Sequence, residues 1–175
     1  SVVEPKLDFK QVLVIALLFR LVLLFSTPRL SDDYHRFIWD GELISNGNNP
    51  YEFKPAEQEF DSPKEAVTLK DRTYDKMNSK EYYSVYPPVN QAFFGLVEYA
   101  SGNNSYQFIV LLRILLIGFD IGVILILAKL LKWFSKKKEL VVVYALNPLV
   151  ITELTGNLHF EGVTLFFVLA AMWFL

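Results

Sequence analysis

The chain has 175 residues, 53% hydrophobic and 15% aromatic, with a formal net charge of -2. That composition excludes intrinsic disorder, which needs low hydrophobicity and high net charge. With no cysteine, a disulfide scaffold, a cysteine zinc site and a thiol nucleophile are also excluded. The near-neutral charge carries no nucleic-acid footprint.

The apolar residues fall in blocks. The first covers 9–25 and, with its flank, predicts a transmembrane helix over 9–27. It has a basic start, but Phe25-Ser26-Thr27-Pro28 lacks the small-x-small pattern of a cleaved signal peptide. The second block, 106–134, is broken by Arg113, Asp120 and Lys129. The third, 140–154, contains Asn147, Pro148 and Glu153. The fourth begins at 163 and is still apolar at Leu175. A bilayer core takes about 20 helical residues, so the pattern predicts three spans and the start of a fourth. The expected fold is an all-α polytopic transmembrane helical bundle. The chain begins without Met and ends within an apolar run, so the expectation is an N-terminal piece of a larger membrane protein.

Between the first two spans lies a polar segment, 28–105. Residues 32–47 read as a helix that Ser31, Asp32 and Asp33 can cap. Asn46-Gly47-Asn48-Asn49-Pro50 reads as a turn. Residues 52–83 carry mixed charge and read as a solvated stretch with a short helix at 79–83. Residues 87–100 are moderately apolar and too short to span, which suits an interfacial helix. Lys6 and Lys10 stand at the start of the first span, and Lys129, Lys132, Lys136, Lys137 and Lys138 cluster at the end of the second and before the third. Placing both clusters inside puts 28–105, and the short connection 155–162, on the outer face.

Within that frame Asp32 and Asp33 stand just past the outer end of the first span. A carboxylate there can act as general base or bind a cation; the plainer alternative is helix capping. Asp33, Arg36 and Asp40 share one helical face, as a site or as a surface ion-pair ladder. Arg113 and Asp120 lie seven apart in an apolar helix, where ionisable residues mark functional paths or pair with each other; Arg20 is a weaker case of the same kind. His159 and Glu161 sit in a short outer connection bounded by glycines. One histidine and one acid do not make a zinc site. No nucleotide-binding, nucleophile-elbow or zincin motif is present.

Ser31-Asp32-Asp33-Tyr34-His35-Arg36-Phe37-Ile38-Trp39-Asp40-Gly41, followed by Gly47-Asn48-Asn49-Pro50-Tyr51, resembles the first outer loop of GT-C membrane glycosyltransferases, and most of all that of bacterial polyprenol-phosphate-mannose-type mannosyltransferases. Tyr86-Pro87-Pro88 resembles the Tyr-Pro-Pro that closes that loop. Asn147-Pro148-Leu149, Glu153 and Gly156-Asn157-Leu158-His159-Phe160-Glu161 resemble a later motif that usually reads Asn-Gly-His-x-Asp; here the order differs and Glu161 replaces Asp.

The resemblance implies a multi-pass enzyme with its active site on the extracytoplasmic face. It transfers a hexose, mannose first, from a polyprenyl-phosphate-sugar donor to a hydroxyl of a glycan or lipid-linked acceptor, with inversion. Asp32 or Asp33 is the general base. Arg36, Arg113 and His159 are the cations for the lipid phosphate, and Asp40 and Asn157 complete the binding set. Membrane lipid is a partner and nucleic acid is not. No metal site is assigned, and a divalent cation stays open as a cofactor. The competing classes are a transporter or flippase-type subunit and a non-catalytic assembly partner. A transporter site belongs near the bilayer midplane, a transferase site at the membrane surface.

Overall fold

The computed structural model describes residues 7–57, 69 and 72–175; those residues are helical or irregular, with no strand among them. Helix α1 (Phe9–Val22) starts at a capping box. The Asp8 carboxylate accepts from the Gln11 N–H, and the Gln11 side chain accepts from the Asp8 N–H, each at 2.9 Å, so two of the orphan donors at the helix start are satisfied. The helix stops five residues before the expected 27: the N–H groups of Leu23, Leu24 and Ser26 bond three residues back, to Arg20 O, Leu21 O and Leu23 O, in turns that leave the α ladder, and Arg113 takes the freed Leu24 O and Ser26 O.

Helix α2 (Asp33–Ser45) and helix α3 (Pro88–Ser101) match the two short helices read from the polar segment. Helix α4 (Ser105–Trp133) matches the second apolar block. It is the one helix among the described residues long and apolar enough to cross a membrane. The third block is broken. A 3₁₀ turn (Lys138–Val141) runs into α5 (Val142–Ala145); after Asn147, α6 (Pro148–Val150) continues as a π-helical turn (Ile151–Gly156). The two halves bend by 58° and, taken as one span, make a second candidate. The break has a local cause: Pro148 cannot donate to the helix ladder, and the Asn147 side chain caps the second half through the Leu149 N–H at 2.9 Å. Helix α7 (Glu161–Phe174) is apolar but shorter than a span.

The chain divides into two compact units, one of residues 1–26 and 113–175, the other of residues 27–112. In the second unit α2 and α3 pack closely. A Cβ on Gly41 would lie 2.6 Å from the Phe94 carbonyl oxygen, so only glycine permits that approach. Phe37, Tyr86 and Phe94 form one aromatic cluster, with Phe37 stacked on Phe94 at 4.6 Å and Tyr86 edge-on to both. Trp39, Leu43, Leu69 and Met77 form a second buried cluster.

That second cluster corrects the expectation for residues 52–83. Residues 58–68, 70 and 71 lie outside the described residues, but Leu69, Thr73 and Met77 are buried. The helix expected at 79–83 is a turn. The Tyr82 N–H reaches Ser79 O at 3.2 Å, and the Ser79 and Tyr82 carbonyls also accept from the Arg36 guanidinium. Short 3₁₀ helices form instead at Pro55–Glu57 and Tyr74–Lys76.

In the other unit Val12, Ala16, Ile124, Val141 and Ala145 pack α1, α4 and α5 together. Val123, Leu130 and Leu169 join α4 to α7.

Candidate active site

Asp32 precedes α2, but its side chain makes no capping hydrogen bond. The Ser31 hydroxyl takes the Asp33 N–H at 3.3 Å, and the His35 N–H bonds the Asp32 backbone carbonyl at 3.0 Å. The Asp32 carboxylate instead accepts from the Asn78 side-chain amide at 2.9 Å. It is half-buried and lines a polar cavity of about 360 Å³ together with Arg29, Ser31, Tyr34 and His35. A residue placed for capping has thus given up that bond, worth about 1 kcal/mol in ordinary helices, and turned its charge towards a cavity. Asp33 starts the helix and does not line that cavity.

His35 forms the buried wall. It is 9% exposed, its ring lies 4.0 Å from the Tyr34 ring, and Nδ1 is buried without a hydrogen-bond partner. Burial, helped by Lys76, pushes the imidazole below its ordinary value against the pull of Asp32. The ring is therefore neutral at pH 7.

Below the cavity the expected ion-pair ladder is a buried network. Arg36 Nε donates to Asp40 Oδ1 at 2.7 Å with both side chains almost fully buried. Asp33 is not part of it. The other Asp40 oxygen accepts from Ser84 Oγ at 2.6 Å and Gln91 Nε2 at 2.8 Å. Arg36 Nη1 donates to Ser79 O and Tyr82 O at 3.2 and 2.9 Å. Burial pushes the Asp40 carboxyl up, and Arg36, Ser84 and Gln91 only partly offset it. Arg36 and Asp40 join α2 to residues 79–84 and to α3, with Arg36 Nη2 buried and without a hydrogen-bond partner. The two outer motifs meet as well: the Tyr51 hydroxyl donates to Tyr86 O at 2.6 Å.

A third cluster in this unit had no local signal. Arg72 donates to Glu42 Oε2 at 2.5 Å and to Glu98 Oε1 at 3.0 Å, with both carboxylates buried. Burial raises the Glu98 carboxyl above its ordinary value, against the pull of Arg72. Arg72, Glu42, Glu98, Ser84, Gln91 and Asn78 are scattered in sequence; only the packing of α2 against α3 collects them.

In the unit of residues 1–26 and 113–175, Glu153 Oε2 lies 3.1 Å from His159 Nδ1 and accepts from Asn157 Nδ2 at 3.2 Å. Glu153 and His159 line a cavity of about 340 Å³ with Tyr144 and Glu161. The cluster sits on the π-helical turn and on Leu158, a buried residue in the left-handed region (φ 65°). Both are backbone forms that concentrate at functional sites.

Arg113 and Asp120 share a face but do not pair. Arg113 is fully buried and donates to the Leu24, Ser26, Thr155 and Gly156 carbonyls. Asp120 pairs with Arg20 at 2.5 Å and accepts from the Tyr144 hydroxyl at 2.7 Å. Arg20 also holds the Ala16 and Ala145 carbonyls at 2.9 Å. Among the described residues no group of three or more His, Cys, Asp or Glu side chains is placed to hold a metal ion.

The described residues thus combine an all-helical architecture, one helix long and apolar enough to cross a membrane, and a carboxylate diverted from helix capping into a polar cavity. The chain belongs to the MptA_B family: over residues 1–175 it matches that family's "Alpha-(1->6)-mannopyranosyltransferase, N-terminal domain". The family is one of mannosyltransferases of GT-C type, which fits the resemblance read from the outer-loop motifs. No curated protein and no solved structure is significantly similar to the chain.

Proposed function

We propose that this chain carries the catalytic acid–base site of an enzyme that moves mannose from a polyprenyl-phosphate donor to a sugar hydroxyl, with Asp32 as general base. The observation that carries the reading is the Asp32 carboxylate, which makes no cap bond and lines a polar cavity large enough for a hexose. The family description names an α-(1→6) linkage, so the acceptor group is the primary hydroxyl at C6. Its oxygen attacks the anomeric carbon and its proton passes to Asp32. The bond from that carbon to the phosphate oxygen breaks, and its electron pair leaves with the lipid phosphate. Inversion to an α product requires a β-linked donor.

A base beside the attacking oxygen contributes about 10²–10⁴-fold. Asp33 is the second choice, because it starts α2 and does not line that cavity. His159, oriented by Glu153 and Asn157, is a candidate anion-binding group within the unit of residues 1–26 and 113–175. We place the fold in a multi-pass membrane bundle, with residues 28–105 and 155–162 outside.

The test is sugar transfer by the complete protein from polyprenyl-phosphate mannose. Asp32→Asn is expected to lower kcat about 100-fold or more, and Asp33→Asn far less. Full activity in both variants refutes the base assignment. A wild type that transfers nothing from a lipid donor refutes the donor. A single cysteine at Lys137 should label only from inside; labelling from outside overturns the orientation.

A further inference from the structure

Asn78 is exposed, yet its side chain is not free to wander. Its neighbour Met77 is 4% exposed and belongs to the cluster of Trp39, Leu43 and Leu69. Its other neighbour, Ser79, gives its carbonyl to Arg36 Nη1 at 3.2 Å. Arg36 is in turn fixed by Asp40, and Asp40 by Ser84 and Gln91. The backbone on both sides of Asn78 is therefore tied to α2, the helix that Asp32 precedes. From that anchored position the amide reaches Asp32 Oδ1 at 2.9 Å. Asp32 lines the polar cavity and Asn78 does not, so the amide grips the carboxylate from outside the cavity.

We propose that Asn78 is a positioning residue for Asp32: its amide fixes one carboxylate oxygen and leaves the other to receive the acceptor's proton. This rests on Asp32 being the base. An unheld aspartate at a helix start would turn its oxygens to the orphan N–H groups of the first turn. The Asn78 bond opposes that rotation, and an amide, having no charge of its own, does so without adding a second ionisable group beside the base. Arg36 and Asp40 enter the reaction through the same path: they hold the strip of backbone that carries Asn78.

The experiment compares Asn78→Ala and the isosteric Asn78→Asp in the complete protein. It measures kcat, the donor KM, the pH profile of kcat/KM and the thermal melt. Asn78→Ala should lower kcat about 10- to 100-fold, the cost of a misplaced catalytic group, with the donor KM little changed. Asn78→Asp sets a second carboxylate in contact with Asp32, and two such groups resist ionising together. Its acid limb should move up by about one pH unit, with activity returning towards higher pH. An Asn78→Ala enzyme with full kcat overturns the inference. So does an Asn78→Asp acid limb that coincides with wild type, whatever the loss in Asn78→Ala. Asp32→Asn separates the two levels. If it is inactive while the Asn78→Asp profile is unmoved, only the positioning role falls. If it is fully active, the base reading falls and takes the positioning role with it.

Discussion

Both units bury arginines, but they neutralise them differently. In residues 27–112, Arg36 meets Asp40, and Arg72 is shared by Glu42 and Glu98. In residues 1–26 and 113–175, Arg20 meets Asp120, but Arg113 donates to four backbone carbonyls. Those carbonyls lie just past the end of α1 and at the end of the π-helical turn. Helix ends leave carbonyls unsatisfied and carry partial negative charge. Arg113 thus serves as a cap for two broken helix ends, whereas Arg72 serves as a counter-charge for acids. The lesson is that an arginine in an apolar or interfacial segment need not mark a ligand; its partners decide.

The comparison can be broken most sharply at Arg72. Removing it leaves two buried carboxylates without their counter-charge, and Arg72→Ala should cost about 3–5 kcal/mol at pH 7. Denaturant unfolding in detergent measures it. Arg113→Ala should also destabilise, but the two should part on acidification. Burial raises the Glu98 carboxyl in the folded state, so its contribution to stability is fully present below its unfolded value of 4.5 and is lost as pH rises through the folded one. The Arg72→Ala deficit should therefore shrink as pH falls from 7 towards that value. Carbonyls do not titrate in this range, so the Arg113→Ala deficit should hold constant. Equal pH dependence in the two variants would erase the distinction.

Gly41→Ala comes next. Its Cβ would meet backbone, the Phe94 carbonyl, and not a movable side chain, so α2 and α3 must separate, at about 1–3 kcal/mol. A melt unchanged from wild type would show that the helices are not so close. Smaller still is Glu98→Gln, expected to cost under about 1 kcal/mol because Glu42 remains for Arg72 and a costly buried ionisation disappears. A loss as large as that of Arg72→Ala would mean that the acids are not surplus. Smallest is Asp32→Asn, whose side chain caps nothing. Its stability should stay within about 0.5 kcal/mol of wild type while transfer collapses. A large drop in melting temperature would reassign Asp32 to structure.

The sequence by itself determined the helical elements, because period and length are local properties. The apolar run that became Ser105–Trp133 and the short helices Asp33–Ser45 and Pro88–Ser101 were all legible. So were the acidic doublet and the outer-loop motifs that carry the family resemblance. The end of the first helix was not legible: it passes into three-residue turns, and the Leu24 and Ser26 carbonyls left over are taken by Arg113, far along the chain. Leu69 and Met77 lie in a stretch charged like a solvated one, yet both are core, because they meet Trp39 and Leu43. Pairing was the least visible. Spacing suggested Arg113 with Asp120 and a ladder of Asp33, Arg36 and Asp40; the structure keeps only Arg36 with Asp40, buried, gives Asp120 to Arg20, and gives Asp32 to Asn78. A helix face fixes which residues are candidates to touch. Which partner each buried charge takes is settled by desolvation, which leaves no buried charge unpaired and recruits whatever donor or acceptor the packing of distant segments brings within reach.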